Sequence, residues 1–522
     1  MSRPFAPPRS AEPPVQAPSD QLHPRSVGAF APPVPAPAPG PTAPPVPDGA
    51  APSAPTPTAP APSAGARAPD PWRILPQPCH PGEFERALAT WRQGRWLGGA
   101  PGPLFRLLGG RRAPLRAWHL KLTCLRAHAR WGWARTLRWG VLTPLRVARE
   151  AWELARAGRE LPRAEDPLPA PVRALRLWLL TMTTGLRPRD HYFTGLRVRP
   201  RGVRAGDFVG QYEWRSAYAL ASALVPGARA ARAQLSDKRR FEALAHAHGV
   251  AHFRTLAEYR DGGRVVPPPS AADELPWRDL FSKPANGSAG RGARRWRHLG
   301  DGRWDGGDGS PVDAAGVHAA LARQSLADGP VLLQPCGRNH PALAPLSDGA
   351  LCTVRVMTVR LPDAPPEPVG AVIRSPRPGA VVDNFDAGGL ASAVELATGR
   401  LGRTIRQDER SRIFVAPSPH AGAGDAGLAL PDWPACLALA VRAHALVPAL
   451  PVAGWDVALT DEGPVLTEGN TFPCASLMQA ASGEPFGPGR FSSALDAHLR
   501  RALAAGALRG RALRPATPPP RS

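Results

Sequence analysis

The sequence predicts a mixed α/β (α+β) domain over residues 171–500, behind a basic helical segment at 82–165 and a disordered tail at 1–70. Three observations predict it. The first 70 residues are mostly Pro, Ala and Ser, and cannot bury enough apolar surface to offset the entropy of ordering. Residues 86–149 carry fourteen basic side chains and six tryptophans but no acid. From 171 onward, short apolar strands alternate with helices and glycine-rich turns, the pattern of an ordinary α/β core. A second short disordered tail is expected at 505–522.

The chain has 522 residues, enough for more than one domain and a sizeable core, and its 67 prolines mark a part that is not globular. The net charge of +23 comes almost wholly from arginine, because lysine occurs only at Lys121, Lys238 and Lys283. Arginine has replaced lysine wherever any cation will serve. Such a charge suits solubility as well as attraction to phosphate, nucleic acid or anionic lipid. The six cysteines form no CxxC pair, which argues against a zinc site or a redox motif and for a reducing cytosol. The N-terminus has no signal-peptide core, and the longest apolar run, 175–184, is too short to span a bilayer. A cytoplasmic protein is expected, peripheral on the inner membrane face if the basic segment binds lipid.

Within the basic segment, Leu115, Trp118, Leu122, Leu125 and Ala129 recur at steps of three and four, one face of a helix. Arg116, Lys121, Arg126 and Arg130 lie off that stripe. Such a helix either packs on the main domain with a solvated basic side, or lies on an anionic membrane surface. The stripe cannot do both. Nucleic acid ranks below these, since no recognisable readout motif accompanies the charge.

Four segments carry the chemistry. Residues 236–249, SDKRRFEALAHAHG, read as a helix with Ser236 as N-cap, Phe241, Leu244, Ala245 and His248 as the buried stripe, Gly249 as the stop and Lys238 in the first turn. A strand is expected at 250–255. In 280–292, LFSKPANGSAGRG, Lys283 ends a strand and Gly287, Ser288, Gly290 and Gly292 form a loop whose bare amides could approach phosphate. It is not a Walker A loop, because no GK[ST] closes it. Lys238 and Lys283 are two of only three lysines, which marks positions where a compact ammonium is wanted rather than a guanidinium. VLLQP at 331–335 reads as a buried strand bearing Gln334.

CTVRVMTVR at 352–360 is a strand that places Arg355 on the face of Thr353 and Met357, where it needs an anionic partner, catalytic or structural. Arg374 ends the strand 369–374, and the loop 382–389 after it is polar and flexible. The hairpin GWDVALTDEGPVLTEGN at 454–470, if symmetric about Glu462, sets Asp456 opposite Glu468, with Asn470 on the same face. Both strands are apolar around them. Two carboxylates that close would repel unless a cation joined them, and Mg2+ fits.

This order of elements resembles the ATP-grasp superfamily. The wording of 236–250, 282–292, 353–359, 382–389 and 454–470 is closer still to its sugar-transfer-associated family. The resemblance covers roughly 190–486. It implies an ATP-grasp fold in the C-terminal half, with ATP and Mg2+ as cofactors. It implies that Lys238, Lys283 and the loop touch the nucleotide phosphates, and that Gln334 lines the adenine pocket. Asp456, Glu468 and Asn470 would hold Mg2+, and Arg374 would sit near the γ-phosphate; Arg355 is kept as a second catalytic candidate. The stretch 418–422 departs from the family's order, so His420 receives no role. The implied activity is a ligase that activates a carboxylate as an acyl phosphate for attack by an amine or similar nucleophile. Its expected setting is envelope polysaccharide synthesis, with a small-molecule or glycan-linked substrate. A non-catalytic ATP-binding scaffold of the same pathway is the alternative.

Overall fold

Strands within two stretches, 257–335 and 353–470, form two seven-stranded sheets in the computed structural model of the chain. The structure describes residues 114–116, 118, 119, 134, 137, 138, 140–157, 168–196, 202–265, 275–286, 290, 292–347, 349–377, 379–407, 413–416 and 428–505. The expected N-terminal tail, the loop at 418–422, nearly all of the C-terminal tail and most of the basic segment lie outside these residues.

Ahead of the sheets come helices α1 (Thr143–Ala157), α2 (Ala170–Thr184) and α3 (Asp190–Phe193), then α4 (Gln211–Leu224), α5 (Ala228–Ser236) and α6 (Lys238–Ala247). The smaller sheet holds β1 (Ala257–Arg260), β2 (Gly263–Val265), β3 (Leu280–Pro284), β4 (Arg294–Gly300), β5 (Arg303–Asp305), β6 (Val312–Asp313) and β7 (Val331–Pro335), in the order β2-β1-β7-β3-β4-β5-β6. Helix α7 (Ala314–Asp328) covers it, burying Val317 and Leu321 against Tyr259, Leu280, Trp296 and Trp304.

The larger sheet holds β8 (Thr353–Val359), β9 (Glu367–Ser375), β10 (Leu390–Val394), β11 (Leu401–Gln407), β12 (Ile413–Val415), β13 (Val452–Thr460) and β14 (Gly463–Asn470). Its order is β12-β11-β10-β9-β8-β13-β14, which leaves β14 at an edge. Helix α8 (Trp433–Ala445) lies in the core on one side, and α9 (Ala475–Ser482) with α10 (Arg490–Ala504) in the core on the other. The alternation along β8 shows why: Val354 and Val356 join the α8 core, while Met357 and Val359 join the opposite one.

Four local expectations change. The helix containing Lys238 starts one residue later than the pattern suggests: Ser236 closes α5, and Asp237 is the N-cap, accepting from the Arg239 amide at 3.0 Å. His248 is exposed rather than part of the buried stripe. Residues 250–255 form no regular strand but run beside β14, with an isolated bridge from His252 to Leu466. The loop 382–389 contains a short 3-10 turn at Phe385–Ala387, with Asp383 and Phe385 buried.

Where it is described, the basic segment follows the packed alternative, with Arg116 as the correction. Leu115 is buried in the core beside Trp214 and Tyr218, and Trp118 packs on the same cluster, its indole N–H donating to Asp496 at 2.8 Å. These two stripe residues are therefore not available to lipid. Arg116, expected on the solvated side, is 1% exposed. Its guanidinium pairs with Glu213 and donates to the carbonyls of Gly206 at 3.0 Å and Phe208 at 2.7 Å. Neighbours on two sides of 114–119 explain this: α4 and the carbonyls at 206 and 208 meet Arg116, α4 also meets His119 through Ser216, and α10 meets Trp118 through Asp496.

Candidate functional site

The hairpin β13–β14 sets the site. Asp456 pairs across the strands with Glu468, and Gly454 with Asn470. The turn itself is only Asp461 and Glu462, between the paired Thr460 and Gly463. That register would place Asp456 opposite Thr467. A bulge at Thr467 shifts the pairing by one residue and brings Glu468 across from Asp456. The bulged Thr467 Oγ1 donates to the Asp456 carbonyl at 3.1 Å, and its own carbonyl accepts from Lys283 Nζ at 3.4 Å.

Arg355 pairs with Asp456 on the other side, so Arg355, Asp456 and Glu468 form one rung across three strands. Arg374 pairs with Thr353, two residues from Arg355, and so shares the same face. The result is a row of alternating charge. Arg355 Nε and one terminal nitrogen donate to the two Asp456 oxygens, both at 2.7 Å. Arg374 donates to Asp456 Oδ2 at 2.9 Å and lies 3.5 Å from Asp383. Asp383 also accepts from the Thr353 amide at 2.8 Å, and Thr353 Oγ1 accepts from Arg374.

Burial governs the ionisation here. Asp456 is 1% exposed, which alone would raise its pKa, but Arg355 and Arg374 outweigh burial and hold the carboxyl well below the usual range. Burial alone would likewise lower Arg355, and Asp456 more than offsets it. Asp383 is shifted the other way: burial raises it, and Arg374 only partly compensates. The cations that the two carboxylates require are thus present as guanidinium groups, and Arg355 and Arg374 are both committed to Asp456.

Two lysines meet the row at its β14 end. Lys238 Nζ lies 3.9 Å from Glu468 Oε2. Burial pushes Lys283 down to about 8, against the pull of Glu468. Gly290 and Gly292 have positive φ, at 69° and 71°, the left-handed conformation that favours glycine. Gly287 and Ser288 lie outside the described residues. Gln334 is buried in β7, and its amide N donates to the Phe253 carbonyl at 3.1 Å and faces Thr255 Oγ1 at 3.4 Å. The structure therefore brings Lys238, Lys283, Arg355, Arg374, Asp456, Glu468 and Asn470 to one region. The Gln334 side chain instead braces β7 against 253–255.

The donors fit a divalent cation in part. Glu468 keeps a third of its side chain exposed and has a lysine at 3.9 Å as its ion-pair partner. The buried Asn470 Nδ2 has no hydrogen-bond partner, and amide nitrogen and oxygen exchange by a simple flip. Asp456 already accepts three guanidinium bonds out of about four lone-pair positions. Among the described residues no three His, Cys, Asp or Glu side chains converge as a metal site. The set here is two carboxylates and an amide.

Sequence reasoning missed Asp383 and Thr353, which orient Arg374. An acid in a loop of VDNFDAGG gave no local sign that it would turn inward. Glu242 was missed as well: it receives the Thr255 amide and lies in the field of Lys283.

Two antiparallel sheets thus bring lysines, arginines and carboxylates together at one hairpin edge. The chain belongs to the sugar-transfer associated ATP-grasp family, whose model matches residues 226–489, half of its length. No curated protein matches its sequence. Among solved structures it is similar to an L-amino acid ligase from Bacillus licheniformis, at 12% identity and a TM-score of 0.31, covering 54% of this chain and 53% of that one. A D-alanine–D-alanine ligase from Bacillus anthracis gives 11% and 0.30, covering 55% and 72%. Biotin carboxylase from Campylobacter jejuni gives 14% and 0.28, covering 49% and 47%. The chain thus spans about half the length of the first and last of these, and the assignment rests on the family match rather than on them.

Proposed function

We propose that the protein is an ATP- and Mg2+-dependent ligase that activates a carboxylate as an acyl phosphate for attack by an amine or similar nucleophile. The observation that carries this reading is the convergence of Lys238, Lys283 and the Arg355–Asp456–Glu468 rung at one sheet edge. Lys238 and Lys283 would bind phosphate oxygens as compact cations. Gly290 and Gly292 would let the backbone approach the phosphates. Arg374 would face the transferred phosphoryl group, held in direction by Asp383 and Thr353, with Arg355 fixed beside it by Asp456. Glu468 and Asn470, with the remaining capacity of Asp456, would hold Mg2+, which when bound neutralises phosphate charge. No protein nucleophile is required: positioning and fixed charge lower the barrier for transfer to the substrate carboxylate. The family's name supports a place in polysaccharide or cell-envelope synthesis, with a glycan-linked or other small molecule as acceptor.

The test is Glu468→Gln, which removes one charge at nearly constant volume. A thermal-shift titration with ATP should show Mg2+-dependent stabilisation in the parent and its loss in the variant, with the unliganded melting point unchanged to within about 2 °C, as expected for a partly exposed side chain. Equal Mg2+-dependent ATP affinity in both would refute the assignment. ADP release against a panel of carboxylates and amines separates a ligase from a non-catalytic binder.

A further inference from the structure

Half of the large apolar side chains that are exposed among the described residues lie between 137 and 179. They fall on and just ahead of the α1–α2 pair. On α2, Val172, Leu175 and Leu179 recur at steps of three and four and stand 46–56% exposed, opposite the buried Ala170, Leu177 and Thr181. On α1, Leu145 and Trp152 are two turns apart, 69% and 41% exposed, opposite the buried Val147, Ala151 and Ala155. Val141, at the approach to α1, is 78% exposed. The inner faces are satisfied by one another: Ala151 and Leu177 pack with Tyr192, Arg173 donates to the Ala155 carbonyl, and Trp178 donates to that of Pro144. The outer apolar residues are thus not the seam of the pair.

Charge goes with them. Arg146, Arg149, Arg156 and Arg176 on this pair and Arg138 just ahead of it are exposed, and α2 has no acid. The one exposed acid on α1 is Glu153, ion-paired with Arg149 at 2.9 Å. Five cations against one anion leave a net +4. A second copy of the chain is a poor occupant, because a two-fold interface would set that charge against itself. Aliphatic side chains interleaved with arginine and a tryptophan suit a plane where apolar groups enter acyl chains and guanidinium groups reach lipid phosphates. No helix among the described residues is long and apolar enough to cross a membrane, so the contact lies in the interface plane.

We propose that the exposed apolar and basic side chains of the α1–α2 pair dock the protein on an anionic lipid bilayer. This surface differs from the stripe at Leu115, which is buried, and Trp118, which is packed against the same core, and the proposal does not depend on the ATP reading. Each arginine near an anionic leaflet contributes roughly five-fold in partitioning. Four net charges then give on the order of a hundred-fold or more between anionic and neutral vesicles at low salt.

The experiment is co-sedimentation of the full chain with phosphatidylglycerol/phosphatidylcholine vesicles and with phosphatidylcholine vesicles alone, at low and at high salt. The expected result is binding to the anionic vesicles only, weakened by salt, and reduced about ten-fold or more in Leu175→Asp/Leu179→Asp. Both side chains are exposed, so the variant should melt with the parent. Arg146→Glu/Arg149→Glu, which leaves the apolar face intact, should lose binding as well and guards against a folding defect in the first variant. Leu326→Asp, an exposed leucine on α7, should bind as the parent does. Undiminished binding in both α1–α2 variants would assign the lipid contact elsewhere, and equal binding to neutral vesicles would remove the charge argument. A dimer in the parent that the α2 variant converts to monomer would make the face a subunit interface. Each of these last three outcomes overturns the proposal.

Discussion

Replacing Asp456 by asparagine decides between two accounts of the same carboxylate, because they predict opposite signs. If Asp456 and Glu468 chiefly repel one another while they await a cation, removing one charge from the pair should stabilise the metal-free chain. If Asp456 is chiefly the anchor of Arg355 and Arg374, the same change should destabilise it. The geometry favours the second. Asp456 is 1% exposed and accepts three guanidinium bonds, at 2.7, 2.7 and 2.9 Å. With Asp383 beside Arg374, the inner row holds two cations and two anions and is neutral. The Asp456→Asn substitution would leave it at +1 and turn an amide N–H₂ toward N–H donors. Breaking a buried pair by removing one partner costs about 3–5 kcal/mol, against a typical total stability of about 5–15 kcal/mol. Urea unfolding in EDTA, followed by tryptophan fluorescence, should show a loss of at least about 3 kcal/mol with an unchanged m-value. A gain in stability, or a loss under about 1 kcal/mol, would refute the anchoring account.

Three further outcomes follow from other parts of the site and fold. Lys283→Arg keeps the charge but should weaken ATP binding about ten-fold or more by calorimetry, because a planar guanidinium does not fit where a partly buried ammonium reaches the Thr467 carbonyl. Lys283 titrates near 8 in the folded chain and at the ordinary lysine value when unfolded, so above about pH 8 the unfolded state binds more protons. Stability of the free chain should therefore rise with pH from about 8 upward, and Lys283→Gln should flatten that rise in urea titrations. A shortened chain starting at Pro171 removes Arg116 and leaves Glu213 buried without its cation; it should lose about 3–5 kcal/mol or aggregate, measured by melting temperature and light scattering.

The carboxylate hairpin was legible because a strand's period of two is strict: whichever face takes Glu468 takes Asn470. Its register was legible only in outcome. A hairpin symmetric about Glu462 and a two-residue turn followed by a bulge at Thr467 give the same Asp456–Glu468 pairing. Nothing in PVLTEGN distinguishes the two. The difference is chemical, since the bulge turns the Thr467 carbonyl toward Lys283. Arg355 was legible as an arginine in need of an anion, but not which anion. That answer depends on β8 pairing with β13 about a hundred residues later, and these antiparallel neighbours are far apart in sequence.

Arg116 shows where pattern reasoning ends. An i, i+3, i+4 stripe assigns each helical residue to one inward or one outward face, which holds for a helix resting on a single surface. The segment at 114–119 has neighbours on two sides, so the residue beside the stripe is as buried as the stripe itself. Its partner Glu213 is an ordinary first-turn acid of α4, accepting the Gly210 amide as an N-terminal cap would. One carboxylate therefore both caps α4 and neutralises a buried guanidinium 97 residues away. Because Arg116 also binds the carbonyls of Gly206 and Phe208, a single arginine ties the basic segment, the turn at 205–207 and the start of α4 together. The fourteen cations of 86–149 are consequently not equivalent. At least one is an internal strut, so the charge this segment presents to water is smaller than its composition implies.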